Sequence, residues 1–244
     1  MPLDHADAAP RAGALNARYR HHTAQDVLHH ALCDEQVGRI ALVSSFGAES
    51  VVLLHMVAAI DRALPVLFLE TGMLFPETIA YQRDVAERLG LPDVRLIRPI
   101  SGDEAGTLHL RDADACCDLR KTRPLQKALG PFDAWITGRK RFQGGRRAAM
   151  EFFEAEDGTG RLKVNPLAHW TPAEVQTYIE VNRLPRHPLV DRGFASIGCA
   201  PCTSPVAPGE EPRAGRWRGQ EKAECGIHFE NGTVVRRPPR RKAA

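Results

Sequence analysis

The chain has 244 residues, 43% of them hydrophobic, enough for the core of one α/β domain and too many for a disordered chain. No apolar run approaches the roughly 18 residues of a membrane span, and the first twenty residues lack the apolar core of a secretory signal, so a cytoplasmic protein with no membrane partner is expected. The net charge of +3 conceals nine Lys/Arg against three Asp/Glu over residues 213–244; with little aromatic interleaving and no nucleic-acid motif elsewhere, this excess reads as a solvated tail rather than a nucleic-acid contact.

Residues 1–22 read as a loose N-terminal arm. A helix follows over 23–37 with Thr23 as N-cap, and Cys33 within it reads as an inert packed thiol. "RIALVSS" (39–45) is a short apolar run, a buried strand, and "SVVLLHMVAAI" (50–60) a helix. "PVLFLET" (65–71) is a second strand. "PETIAYQRDVAERLG" (76–90) is a helix opened by Pro76 and closed by Gly90. "DVRLIRP" (93–99) is a third strand, "CDLRKTRPLQKAL" (117–129) a helix despite Pro124, and "DAWITG" (133–138) a fourth strand. Residues 151–167 suggest two strands around a glycine turn. "TPAEVQTYIEVNRL" (171–184) is a helix with a capping box of Thr171 and Glu174.

The β-α-β-α-β rhythm predicts a Rossmann-like α/β domain over 23–203, a parallel twisted sheet with helices on both faces. Beyond it, 204–244 reads as a loop-rich, mobile C-terminal segment.

Two loops at one sheet edge carry the first functional signal. "SSFGAES" (44–50) and "ETGMLFPET" (70–78) put small hydroxyl residues and glycines where open α/β sheets bind ligands. Free backbone N–H groups at a helix start suit an anion. Six cysteines without an export signal raise metal or thiol chemistry above a disulfide framework. Cys116 and Cys117 stand side by side, and Cys199 and Cys202 form a CxxC hook. Four thiolates can hold zinc or an iron–sulfur cluster. Adjacent thiols diverge on a helix, which favours a 4Fe–4S cubane with separated iron corners and leaves zinc open. Cys225 stands apart, with Arg213, Arg216, Arg218, Lys222 and His228 near in sequence. Such positive charge favours a thiolate nucleophile.

"SSFGAES", "ETGMLFPET", "CCDLRKTRPL", "TGRKRFQ", "IGCAPCT", "RAGRW" and "ECGIH" occur in an order that resembles the assimilatory adenylyl-sulfate reductases, over about residues 39–229. The resemblance implies an adenine nucleotide α-hydrolase-like fold and one 4Fe–4S cluster held by Cys116, Cys117, Cys199 and Cys202. It implies reduction of adenosine 5′-phosphosulfate to sulfite and AMP in sulfate assimilation and cysteine biosynthesis. Thioredoxin, or a glutaredoxin-like dithiol, would be the partner, and a homo-oligomer is left open. The 3′-phosphorylated nucleotide is the alternative substrate. By matching motifs, Cys225 would be the nucleophile, with Lys121 between cluster and substrate and His228 engaging the phosphosulfate. Ser44, Ser45, Phe46 and Gly47 would form the nucleotide loop, and Thr71 and Gly72 the second loop. Arg147, Arg213 and Arg216 would bind substrate. Gly144 replaces a frequent serine, which makes Arg146 an alternative to Arg147, and "RDADA" before the double cysteine departs from a His-containing version.

Overall fold

The computed structural model describes residues 8–220, apart from 101 and 104, together with 222 and 226. In chain order the helices and strands are α1 (Ala8–Tyr19), α2 (Ala24–Cys33), β1 (Ile40–Ser44), α3 (Ser50–Ile60), β2 (Val66–Leu69), α4 (Pro76–Leu89) and β3 (Val94–Ile97). Then come α5 (Leu108–Arg111), α6 (Ala113–Cys117), α7 (Arg123–Ala128), β4 (Ala134–Ile136), β5 (Phe153–Ala155), β6 (Leu162–Val164) and α8 (Pro172–Val181).

The strands form one sheet in the order β3-β2-β1-β4-β6-β5. All neighbours run parallel except β5, which pairs antiparallel with β6 as the first arm of the expected hairpin. The two-residue period of a strand divides the core. Leu42, Val66, Phe68, Ile136 and Val164 face one layer with α1, α2, α3, α4 and α8. Ala41, Leu67, Leu69 and Trp135 face the other, under Leu125 and Leu129 at α7. Seven of the eleven α3 residues are buried, which places this nearly all-apolar helix in the core. The caps read from sequence hold: Thr23 with Asp26, Thr171 with Glu174, and Gly90 at φ 62 ending α4.

Three expectations are corrected. The loose arm is, over Ala8–Tyr19, a helix whose Ala8, Ala12, Leu15 and Tyr19 bury one stripe. Its Asn16 side chain donates to Phe153 O (2.8 Å) and accepts from Phe153 N (2.9 Å), which satisfies the backbone of the edge strand β5. Cys33, at the end of α2, is exposed rather than packed. The segment read as mobile beyond 203 folds back over residues 204–217. Ser204 N donates to Gly215 O (2.9 Å), Trp217 N donates to Cys202 O (3.0 Å), and Trp217 is 2% exposed. No helix among the described residues is long and apolar enough to cross a membrane.

Candidate active site

The sheet order reverses direction between β1 and β4, and a crevice opens beyond their C-terminal ends. The loop after β1 turns at Phe46, whose φ of 46 is rare for a residue with a side chain. Two contacts hold it there: Phe46 N donates to Ser44 Oγ (3.2 Å), and the fully buried Phe46 ring meets Phe68 edge to face at 5.1 Å. The Phe46 side chain therefore belongs to the core. Its side chain does not line the cleft, and what it contributes there is the shape of the loop. Ser44, Ser45 and Gly47 do line the cleft, together with Thr71, Lys121, Arg147, Arg213 and Arg216. Gly72 is exposed and does not itself line the cleft. Its φ of 72 and its bond to Glu70 Oε1 (2.7 Å) turn the second loop, and Arg120 passes close to its Cα.

The loop after β4 closes the opposite wall. Lys140 Nζ pairs with Glu49 Oε2 at 2.8 Å, tying it to the first loop. Burial pushes the Lys140 amine toward its neutral form, against the pull of Glu49. Arg139 bonds Asn165 Oδ1 (3.0 Å) and Glu154, and Arg147 bonds Gln143. Arg139, Lys140 and Gln143 line the cleft without having been singled out individually, although "TGRKRFQ" contained them.

The double cysteine ends α6, and the next five residues, Asp118–Thr122, form a π turn. Pro124 supplies a local reason. It has no N–H for the carbonyl of Arg120, and its ring would crowd that carbonyl in a regular α-helix. Such widened turns occur preferentially at functional sites. Arg120, Lys121 and Thr122 are all buried here. The two neighbouring cations take different tasks. Arg120 braces the loops, donating to Thr71 O (2.8 Å) and to Asp103 Oδ2 (2.8 Å), and holds the Asp103 carboxyl below its usual range. Lys121 faces the cleft.

All four cysteines expected at a metal are less than a tenth exposed. Cys116 lies near enough to Cys199 and Cys202 for their charges to interact. Thr71 Oγ1 is 3.2 Å from Cys199 Sγ. Burial pushes the Cys116 and Cys202 thiols up. Burial acts on Cys199 too, but Lys121, Thr71 and Arg216 outweigh it and bring that thiol down. Cys199 is thus more readily converted to thiolate than Cys116 or Cys202. Among the described residues, no three of His, Cys, Asp and Glu are grouped to hold one metal ion.

Arg216 lies over the Trp217 ring, 4.6 Å from its centroid, and its buried Nε has no hydrogen-bond partner. Trp217 packs against Cys199 and Cys202, so cation and thiols share one wall. Cys225 and His228 lie outside the described residues. Gly226, next to Cys225 in sequence, is buried, and its carbonyl accepts from Thr122 Oγ1 at 3.4 Å. Cationic walls, small-residue loops and buried thiols suit a ligand with more than one negative charge.

Comparison with known proteins agrees with this geometry. Residues 39–205 match the family of the phosphoadenosine phosphosulfate reductase domain. The chain is 47% identical over 238 residues to the adenosine 5′-phosphosulfate reductase of Mesorhizobium japonicum, covering 93% of each chain. It is 49% identical over 231 residues to the enzyme of that name from Chelativorans, covering 91% of this chain and 93% of the relative. The phosphoadenylyl-sulfate reductase of Candida auris, solved with phosphate, superposes with a TM-score of 0.68 at 26% identity, covering 84% of this chain and 99% of that one.

Proposed function

The chain belongs to the phosphoadenosine phosphosulfate reductase family, and from that membership we propose that it reduces adenosine 5′-phosphosulfate to sulfite and AMP in sulfate assimilation, towards cysteine biosynthesis. The observation that carries the reading is one cleft shared by the two small-residue loops, the cations Lys121, Arg213 and Arg216, and the buried thiol of Cys199.

The substrate joins a phosphate and a sulfonate through one oxygen. The Cys225 thiolate attacks the sulfonate sulfur, an S–S bond forms, the S–O bond breaks, and AMP leaves with the electron pair. An anion attacks an anion here, so fixed cations lower the barrier as charge moves to the leaving oxygen. Lys121, Arg213 and Arg216 supply that charge, with His228 and Arg147 assigned to the same ligand. The product is an S-sulfocysteine. A thioredoxin or glutaredoxin-like dithiol then attacks the Cys225 sulfur and sulfite departs; its second thiol resolves the mixed disulfide and returns the Cys225 thiolate. The cytoplasm, where such dithiols are kept reduced, is the fitting compartment.

We assign a 4Fe–4S cluster to Cys116, Cys117, Cys199 and Cys202. Their chemistry fits: four buried thiols from two segments, with Lys121 and Arg216 offsetting negative charge at Cys199. When bound, the cluster supplies fixed negative charge and a covalent tie between the π-turn helix and the CxxC loop.

A second reading, reduction of the 3′-phosphorylated nucleotide, is favoured by the Candida auris superposition. One experiment addresses both. The holoenzyme is incubated with each nucleotide in the absence of dithiol and analysed by mass spectrometry. An S-sulfo adduct on Cys225 from adenosine 5′-phosphosulfate, absent in Cys225→Ser, is expected. A full-yield adduct in Cys225→Ser would sink the nucleophile assignment, and faster adduct formation from the 3′-phosphorylated nucleotide would select the second reading.

A further inference from the structure

Arg218 belongs by sequence to the cations near Cys225, yet it is not part of the cleft wall. Its guanidinium is committed to one loop. Nε donates to Ser204 Oγ (3.1 Å), Nη1 to Glu210 Oε1 (3.0 Å), and Nη2 to both Glu210 Oε2 (2.9 Å) and Pro205 O (3.2 Å). Glu210 Oε2 also accepts from Ala207 N (2.7 Å). The bonds from Arg218, joined by that from Ala207, hold the Glu210 carboxyl down to about 2, so the pair stays charged at any working pH. Residues 205–214 run as turns and irregular chain, and they return at Arg216, which pairs antiparallel with Thr203. Arg213 and Arg216 reach the cleft from this return. Ser204 links the two: its hydroxyl accepts from Arg218 and donates to Gly215 O (3.3 Å), the carbonyl just before Arg216, which also accepts from Ser204 N (2.9 Å). The approach is close, since a Cβ on Gly215 would collide with Ser204 O.

We infer that Arg218 is a positioning residue for substrate binding: its fork gathers the start and the middle of the 204–215 loop, through Ser204 and Glu210, and so fixes Arg213 and Arg216 in the cleft wall. The inference rests on the reading of Arg213 and Arg216 as substrate cations given above. The arrangement calls for a guanidinium. Its donors point along fixed directions in one plane and meet three groups at once, whereas the single nitrogen of a lysine cannot reach them all. The Arg218 and Glu210 side chains are 46% and 34% exposed, and ion pairs so exposed add little to global stability. What the fork specifies is the course of an irregular loop, and with it the place of the two arginines that the loop presents.

The test uses the full-length holoenzyme with Arg218→Lys, which keeps the charge and loses the fork, and with Glu210→Gln, which keeps the acceptor's shape and loses its charge. Each is made in the wild-type protein and in an Arg213→Ala, Arg216→Ala background. The kcat/KM for adenosine 5′-phosphosulfate is measured by sulfite release, beside iron content and Tm; where turnover in the double-alanine background is too slow to follow, the dissociation constant of that nucleotide is compared instead. In the wild-type protein, Arg218→Lys is expected to lower kcat/KM about fivefold and Glu210→Gln about threefold, with iron content and Tm unchanged. In the double-alanine background neither should cost more than about 1.5-fold, because a residue that acts through Arg213 and Arg216 has nothing left to position there. Equal proportional losses in both backgrounds, or iron and Tm lost in Arg218→Lys, would assign the fork to the fold alone and overturn the inference. Wild-type kinetics in Arg218→Lys overturn it as well, while normal turnover of the wild-type enzyme keeps the functional reading standing. A wild-type protein that releases no sulfite from either sulfonucleotide overturns that reading and the inference with it.

Discussion

Gly198 stands beside the CxxC hook for a reason of space: a Cβ there would collide with Nη1, Nη2 and Cζ of Arg216. The guanidinium lies between that bare backbone and the Trp217 ring. Gly198→Ala leaves the fold room to adjust, because the displaced group is the far end of a flexible side chain. It removes Arg216 from its place in the cleft. We expect Tm to change by no more than about 3 °C, and KM for the sulfonucleotide to rise about tenfold, as for loss of a charged hydrogen bond. Kinetics beside a melting curve check this; an unchanged KM would remove Arg216 from the binding role. The residue scale was also where sequence reading was weakest. Small residues in "SSFGAES" located the loop correctly, but only the fold shows that Phe46 turns its ring into the core. The basic pair was visible, yet nothing in "RK" tells that Arg120 braces Thr71 and Asp103 while Lys121 faces the cleft. That division depends on contacts made 49 and 17 residues away.

At the scale of elements, the sequence was legible where local chemistry dictates the outcome. The Thr23 cap, the capping box of Thr171 and Glu174, Pro76 before α4 and Gly90 after it are short-range signals, and each stands where it was read. Strands β1, β2 and β4 were legible because burial on both faces makes them continuous apolar runs. The π turn was not, although Pro124 was the clue: a proline inside a helical pattern must be accommodated, and here the helix widens. Helix α1 was missed because its apolar stripe is built largely from alanine, a weak hydrophobic signal, and its role depends on a strand more than 130 residues away. Asn16 tests that role. Its amide satisfies both backbone groups of Phe153, and alanine would strand them in a partly buried place. Asn16→Ala should cost about 1–3 kcal/mol, seen as a lower urea midpoint with an unchanged slope. Stability equal to wild type would mean that α1 is dispensable for the edge of the sheet.

On the scale of the whole molecule, the four thiols sit outside the two clusters that hold the sheet together. The larger core and the layer under α7 contain none of them. Cys199 and Cys202 belong instead to a small satellite with Trp217, Met73 and Leu74. Few apolar contacts support that satellite, and the segment of 204–217 returns to it mainly through backbone bonds at Cys202 and Ser204. Regions so built open at low free energy unless something else ties them. A resident cluster would be that tie, since metal binding stabilises whatever fold assembles the ligands. Removing iron should therefore loosen the satellite and spare the sheet. In limited proteolysis of the chelator-treated protein, cleavage is expected within residues 197–220. Amide hydrogens of β1, β2 and β4 should stay protected in hydrogen exchange. Loss of protection across the sheet would mean that the thiols anchor the entire fold. Unchanged proteolysis would mean that packing around Trp217 alone holds the segment and that the four cysteines contribute no structural tie.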